Sequence, residues 1–325
     1  MQKVQEPSFL RRKPQSALVT GGMKVQLTNR LLYGLLYLVS LLPLWALYGI
    51  SDFLSFVVYR IIGYRKAVVL SNLAIAFPEK SVAERSRIAK AFYSNFTDSM
   101  LESIKLISAG ESLIDKMFVF DPHVFEVVSG TDKNFQIHAM HNSNWEIVNQ
   151  GVSREMVLPF LGVYQPIINP FFEELFKKIR SRFGTVLIPA NDFKHNFLPH
   201  QDKQYTIALV ADQNPGNPAK AWWVNFFGKP APFVMGPEKA ARARDTVVVF
   251  GNFYKLRRGV YTFSAEKITD DPASLQPGEL TLRYIQYIEA RIRERPDNYL
   301  WSHRRWKHPY KAEYAGLALE KLNLN

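Results

Sequence analysis

The chain contains no cysteine. That removes disulfides, thiolate nucleophiles and zinc-thiolate centres, and it agrees with a reducing compartment. Acidic groups are also scarce: 29 Asp and Glu stand against 41 Lys and Arg, for a formal net charge of +12. The deficit is uneven, since residues 1–66 carry 9 basic and 2 acidic groups, residues 67–219 carry 14 and 16, and residues 220–325 carry 18 and 11. A basic surplus at both ends suits an anionic membrane surface, a phosphorylated ligand or nucleic acid, and charge alone does not choose among them. Long uncharged runs are missing from the rest of the chain after the first 66 residues, which places that part outside any bilayer. No internal repeat or long low-complexity tract is present.

What is there is enough for a large folded unit: 325 residues, 47% hydrophobic. Residues 1–24 mix charges with Pro and Gly without a period and read as a disordered or tag-like leader, with Met23 as an alternative start. Arg11-Arg12-Lys13-Pro14 lacks the apolar residues that a twin-arginine export signal needs after its pair. From Leu31 to Ile50 about 20 residues carry no charge, long enough to cross a hydrocarbon core of ~30 Å. A second apolar run, Phe53 to Ile62, is too short to span and ends in Gly63-Tyr64-Arg65-Lys66. Arg30 and Arg60 bracket the two runs, so positive charge gives no orientation. One tilted span kinked at Pro43 and a hairpin dipping into one leaflet both fit, and residues 25–66 are assigned to membrane attachment.

Beyond Pro78-Glu79-Lys80-Ser81, apolar residues at Ile88, Ala91, Phe92, Phe96, Met100 and Ile104 follow helical spacing and predict a helix from about 82 to 107. A short helix over 111–118 completes a helical collar, residues 67–130. From Phe135 the pattern changes to short β-rich runs at 135–140, 157–164, 186–188, 205–211, 246–254 and 259–265. Helical stretches separate most of them, notably 171–182 and 237–244, and a last helix over 280–295 closes at Pro296. Strands alternating with helices predict an α/β fold with a mainly parallel sheet flanked by helices, over residues 131–325.

The stretch His141-Asn142-Ser143-Asn144-Trp145-Glu146 joins the first of these strands to an amphipathic run. Five residues advance a helix by 500°, leaving His141 and Glu146 roughly 140° apart, so the pair cannot share a helical face. Across a strand-to-helix turn the carboxylate could instead reach the imidazole as an orienting acid beside a general base. Ser143-x-x-Glu146 equally matches a capping box. A metal site of His138, His141 and Glu146 lacks any supporting spacing. Ligands in open α/β sheets bind beyond the carboxyl ends of strands, where Tyr164-Gln165-Pro166 and Asp212-Gln213-Asn214-Pro215-Gly216 also fall. Arg180 and Arg182 sit at a helix end, either completing that end or meeting a phosphate or developing oxyanion. Residues 222–230 read as a core hairpin or as an aromatic wall beside an acyl chain. Basic and aromatic residues interleave at 301–307, and with a membrane segment in the same chain they favour lipid headgroups over single-stranded nucleic acid.

These residues together resemble the late-acting lipid A acyltransferases, the lauroyl/myristoyl family of Gram-negative bacteria. The likeness covers roughly residues 30–310: the apolar segment, Asn72-Leu73 with Phe77-Pro78-Glu79, His141 and Glu146, Asp212-Gln213, Phe226-Phe227-Gly228, and Trp301-x-His303-Arg304-Arg305-Trp306-Lys307. The resemblance implies a glycerolipid-acyltransferase-like fold and an enzyme of the bacterial inner membrane with its catalytic domain on the cytoplasmic side. It implies acyl-acyl carrier protein as donor and, as acceptor, a 3-hydroxyl of an acyl chain on a Kdo-bearing lipid A precursor. It further implies His141 as general base oriented by Glu146, with Arg180, Arg182, Tyr164, Asp212, Gln213, Arg304 and Arg305 as substrate-binding candidates and no cofactor. Both Arg180 and Arg182 compete for the family's pocket arginine, with Arg180 slightly favoured. Related glycerolipid acyltransferases carry Asp at the position of Glu146, which points to the lipid A branch. A glycerolipid or mannoside-lipid acyltransferase and a non-enzymatic envelope lipid-binding protein are the alternatives. Backbone N–H groups at the start of the Trp145 helix and an arginine are the expected oxyanion donors.

Overall fold

The computed structural model describes residues 16–324, with side chains from Leu27 onward. The leader expected over 1–24 lies largely outside the described residues, but helix α1 (Ser16–Leu41) already covers its last part. Helix α2 (Leu44–Phe56) follows and runs into a π-helical turn over Val57–Ile62. Pro43, lacking an N–H, separates α1 from α2. The carbonyls orphaned at the break are taken by Lys105 Nζ, which donates to Ser40 O at 2.7 Å and Leu42 O at 2.9 Å. The break shifts the candidate span. Among the described residues the one helix long and apolar enough to cross a membrane is Leu44–Ile62, rather than the charge-free run 31–50, and only 17% of it is buried against the rest of the chain.

Helices α3 (Lys66–Ala76), α4 (Val82–Lys105) and α5 (Glu111–Met117) come next. The start of α4 is a full capping box, Ser81 Oγ accepting from the Glu84 amide at 3.2 Å and Glu84 accepting from the Ser81 amide at 2.8 Å. The remaining elements are β1 (Phe118–Phe120), α6 (His123–Val127), β2 (Phe135–Ala139), α7 (Trp145–Glu155), β3 (Phe160–Tyr164), α8 (Pro170–Arg180), β4 (Val186–Pro189), α9 (Phe193–Phe197) and β5 (Thr206–Val210). A two-stranded antiparallel hairpin, β6 (Ala221–Phe226) and β7 (Lys229–Val234), leads through α10 (Gly236–Arg244) to β8 (Val247–Arg257), β9 (Val260–Thr269) and α11 (Glu279–Glu294).

Seven strands form one sheet in the order β1-β9-β8-β2-β5-β3-β4. Every neighbouring pair is parallel except the β8–β9 hairpin, so the fold is α/β with a mainly parallel sheet flanked by helices, as the alternation predicts. Strand β1, drawn from the collar region, closes one edge. Side chains alternate along the strands and feed two cores. Val248 and Phe250 of β8 pack with Tyr284 and Ile288 of α11 on one face, while Val247 and Val249 pack with Ile137 of β2 and Ile147 of α7 on the other. The carboxyl ends of β2, β3 and β5 therefore open side by side between two helical layers, and the loops leaving them carry the polar residues singled out above.

Candidate active site

Residues two steps beyond the ends of neighbouring parallel strands are brought together by register. Ala139 of β2 pairs with Val210 of β5, so His141 and Asp212, each two residues further on, emerge side by side. His141 Nδ1 lies 2.7 Å from Asp212 Oδ1, which also accepts from the His141 backbone N–H at 3.1 Å. Asp212 is 1% exposed. Burial alone would raise its pKa, but the adjacent imidazole and its hydrogen bonds outweigh that and hold it below the usual carboxylate value. The acid beside His141 is thus Asp212, and the expected His141–Glu146 contact is replaced.

Glu146 has another partner. Arg180, the last residue of α8, donates from Nε to both carboxylate oxygens at 3.1 and 3.0 Å and from Nη2 to Oε1 at 2.6 Å. Trp145 Nε1 adds a bond to Oε1 at 3.2 Å, and its indole meets the His141 ring edge-on with centroids 5.4 Å apart. Burial opposes the charge on Arg180, yet the bonds to Glu146 and its field raise the pKa, so the guanidinium stays cationic. The capping box read at Ser143 is also absent. Asn144 is the N-cap of α7, its Oδ1 accepting from the Glu146 and Ile147 amides at 3.1 and 3.3 Å. Those two amides are therefore spent on the cap and are not oxyanion donors. Ser143 adopts a left-handed backbone at φ 41° and is held by Asn298, whose carbonyl accepts from the Ser143 N–H at 2.8 Å and whose side chain accepts from its hydroxyl.

Two cavities meet here. The first, about 640 Å³, is walled mainly by apolar side chains, among them Leu36 of α1, Phe96 and Met100 of α4, and Phe172 of α8. The second, about 790 Å³, is more polar and includes Tyr164, Gln165, Gln213, Asn214 and Arg244. His141, Trp145, Glu146 and Arg180 line both.

The other candidates divide. Tyr164 faces the second cavity and donates to Glu173 at 2.9 Å; Gln213 lines the same cavity. Arg182 turns away, donating to the carbonyls of Leu106 and Ile107 just past the end of α4, so of these two arginines Arg180 is the one that lines the cavities. Arg304 is exposed and lines neither cavity; its carbonyl accepts from Asn214. Arg305 is 1% exposed, donating to Asn214 Oδ1 and Pro232 O and stacked over Phe233, so it braces the Asp212 loop from behind rather than contacting a ligand. His138 packs against Phe250 and Tyr284 beside Gln136, and no metal-binding cluster occurs among the described residues. Sequence reasoning missed Asn144 as the cap and Asn298; His303, named there only within the C-terminal motif, accepts from the Asn214 amide through Nε2 at 3.2 Å.

Comparison with known proteins identifies the family. A family model described as bacterial lipid A biosynthesis acyltransferase matches residues 23–308. A lipid A biosynthesis myristoyltransferase of Escherichia coli is 24% identical over 248 residues, 73% of each chain. A lipid A biosynthesis acyltransferase of Haemophilus influenzae is 23% identical over 239 residues, covering 71% of this chain and 72% of its own. Among solved structures, a 1-acyl-sn-glycerophosphate acyltransferase of Thermotoga maritima aligns at 13% identity with a TM-score of 0.36, covering 76% and 94% of the two chains.

Proposed function

Because the chain belongs to the bacterial lipid A biosynthesis acyltransferase family, we propose that it transfers a fatty acyl chain from acyl-acyl carrier protein to a 3-hydroxyl of an acyl chain on a Kdo-bearing lipid A precursor. The observation that carries the reading is an imidazole, backed by a buried carboxylate, at the junction of an apolar cavity and a polar one. Two substrates with different surfaces need such a junction, an acyl chain on one side and a headgroup on the other.

Nδ1 of His141 carries the proton bonded to Asp212, which leaves Nε2 as the free base. Nε2 takes the proton of the acceptor hydroxyl while its oxygen attacks the thioester carbonyl, and Asp212 stabilises the imidazolium. The tetrahedral oxyanion is met by Arg180, whose Nε and Nη2 are fixed by Glu146 and whose Nη1 has no hydrogen-bond partner among the described residues. Collapse breaks the C–S bond, and the imidazolium returns its proton to the leaving thiolate. Glu146 thus positions the arginine rather than the base. The outward-facing Leu31, Leu35, Leu38, Trp45, Phe53 and Ile61 seat the N-terminal helices in the bacterial inner membrane, with the remainder on the cytoplasmic side.

The test is a mass measurement on the lipid. Incubated with acyl carrier protein bearing one defined chain, the wild-type protein adds that acyl mass to the acceptor and His141→Ala adds none while still partitioning with membranes. Undiminished product from His141→Ala overturns the reading, and graded donor chain lengths in the same assay define which chain is used.

A further inference from the structure

A third carboxyl lies behind Asp212 and Glu146. Glu102 of α4 is 1% exposed, lines neither cavity, and takes part in none of the steps above. Its Oε2 meets Asn144 Nδ2 at 2.8 Å and the Tyr261 hydroxyl at 2.6 Å, and its Oε1 meets the Tyr48 hydroxyl at 2.9 Å. Asn144 therefore faces two ways, with its oxygen on the amides of Glu146 and Ile147 and its NH2 on Glu102. An amide carries its acceptor and its donors on opposite sides, so the carboxyl decides which side of Asn144 meets α7. Turned over, the same side chain would set donors against donors and the cap would be lost. From the other direction Asn298 grips Ser143 in its left-handed conformation. The turn between His141 and Glu146 thus hangs between two anchors.

Resting on the assignment of His141 as base, we propose that Glu102 is a positioning residue for acyl transfer: through Asn144 it fixes the start of α7, and so sets Glu146 and Arg180 relative to His141 and Asp212. The support reaches beyond the turn. Tyr48 comes from the apolar helix α2 and Tyr261 from β9, so the N-terminal helices and the sheet meet on the carboxyl that holds the active-site turn. Gly259, at φ +76° in the β8–β9 turn, is required for this meeting, because a Cβ there would lie 2.2 Å from the Tyr48 oxygen. Burial raises the pKa of Glu102 against the opposing bonds from Tyr261, Asn144 and Tyr48, and the nearby Asp98 adds to the rise. Glutamine mimics the protonated acid, since its oxygen can accept from Asn144 while its NH2 donates to a tyrosine oxygen.

The experiment measures kcat, KM for the acyl donor and melting temperature on the full chain for Glu102→Leu, Glu102→Gln, Asn144→Asp and the double variant Asn144→Asp/Glu102→Gln, with His141→Ala alongside. Glu102→Leu lowers kcat on the order of 100-fold with KM nearly unchanged, and Glu102→Gln keeps most of the rate. Asn144→Asp retains the capping oxygen but sets a second carboxylate against Glu102, so kcat falls; adding Glu102→Gln supplies a donor to the new carboxylate and restores it. The proposal is overturned if Glu102→Leu melts like wild type and keeps its kcat, or if Asn144→Asp is not restored by Glu102→Gln; the second comparison decides even where Glu102→Leu fails to fold. Full activity in His141→Ala would instead sink the assignment of the base, whatever Glu102 does.

Discussion

His138 packs against Phe250 and Tyr284, His303 lies near His141, and both are held neutral into the acid range where a free histidine takes up a proton. Burial pushes the pKa of His138 down to about 3. Burial, and then the charge of Arg305, push His303 down to about 4 against the opposing pull of Asp212. Both values lie below the ordinary 6.5, so the unfolded chain binds more protons than the folded one between these limits. Stability is therefore full above pH 6.5 and is lost as pH falls toward 4. Urea unfolding midpoints measured at pH 7 and pH 5 are expected to drop, and His303→Gln is expected to shallow the drop; identical midpoints at both pH values would contradict the burial described. The residue scale is also where the sequence was least legible. His141 and Glu146 are five apart and invite pairing, whereas Asp212 is 71 residues away and becomes a neighbour only through the parallel register of β2 and β5. Once β2 and β5 are known to be adjacent, counting two residues past each strand finds the pair.

At the scale of elements, α7 is the piece that joins site to scaffold. Its Gly151 lies directly under the ring of Phe118 in β1, and a Cβ there would stand 2.1 Å from a ring carbon. Gly151→Ala is expected to destabilise the fold by about 1–3 kcal/mol through overpacking, read as a lower denaturant midpoint with an unchanged slope; a neutral midpoint would mean that α7 and β1 separate more freely than their packing implies. The strands of the sheet interior were legible because their runs are apolar and bounded by turn residues, as at Phe135–Ala139 and Thr206–Val210. The short elements β1, α6 and α9 were not, being three to five residues long, too short to display any period. At Pro43 a kinked span and a hairpin are both compatible with the sequence, and the structure has a break between α1 and α2, where Lys105 and Ser108 stabilise the exposed carbonyls.

Taken whole, the molecule joins an apolar N-terminal pair of helices to a sheet whose open end carries two cavities meeting at one imidazole. Composition could show that one end is apolar and both ends basic, and alternation could show the sheet, but cavity depth and convergence arise from packing between α1, α4, α7 and α8 that no local pattern encodes. The family model's match over residues 23–308 spans both the apolar helices and the sheet, so the family resemblance runs through them as one unit. The central claim is that this unit removes a proton from an alcohol with His141 held by Asp212. The most direct measurement is the single-turnover rate of acyl transfer from acyl carrier protein to the lipid acceptor in Asp212→Asn, whose shape is preserved while the carboxylate charge behind the ring is gone. A loss of about 10²–10⁴-fold, the worth of a general base, is the expected result; a rate equal to wild type would contradict the account.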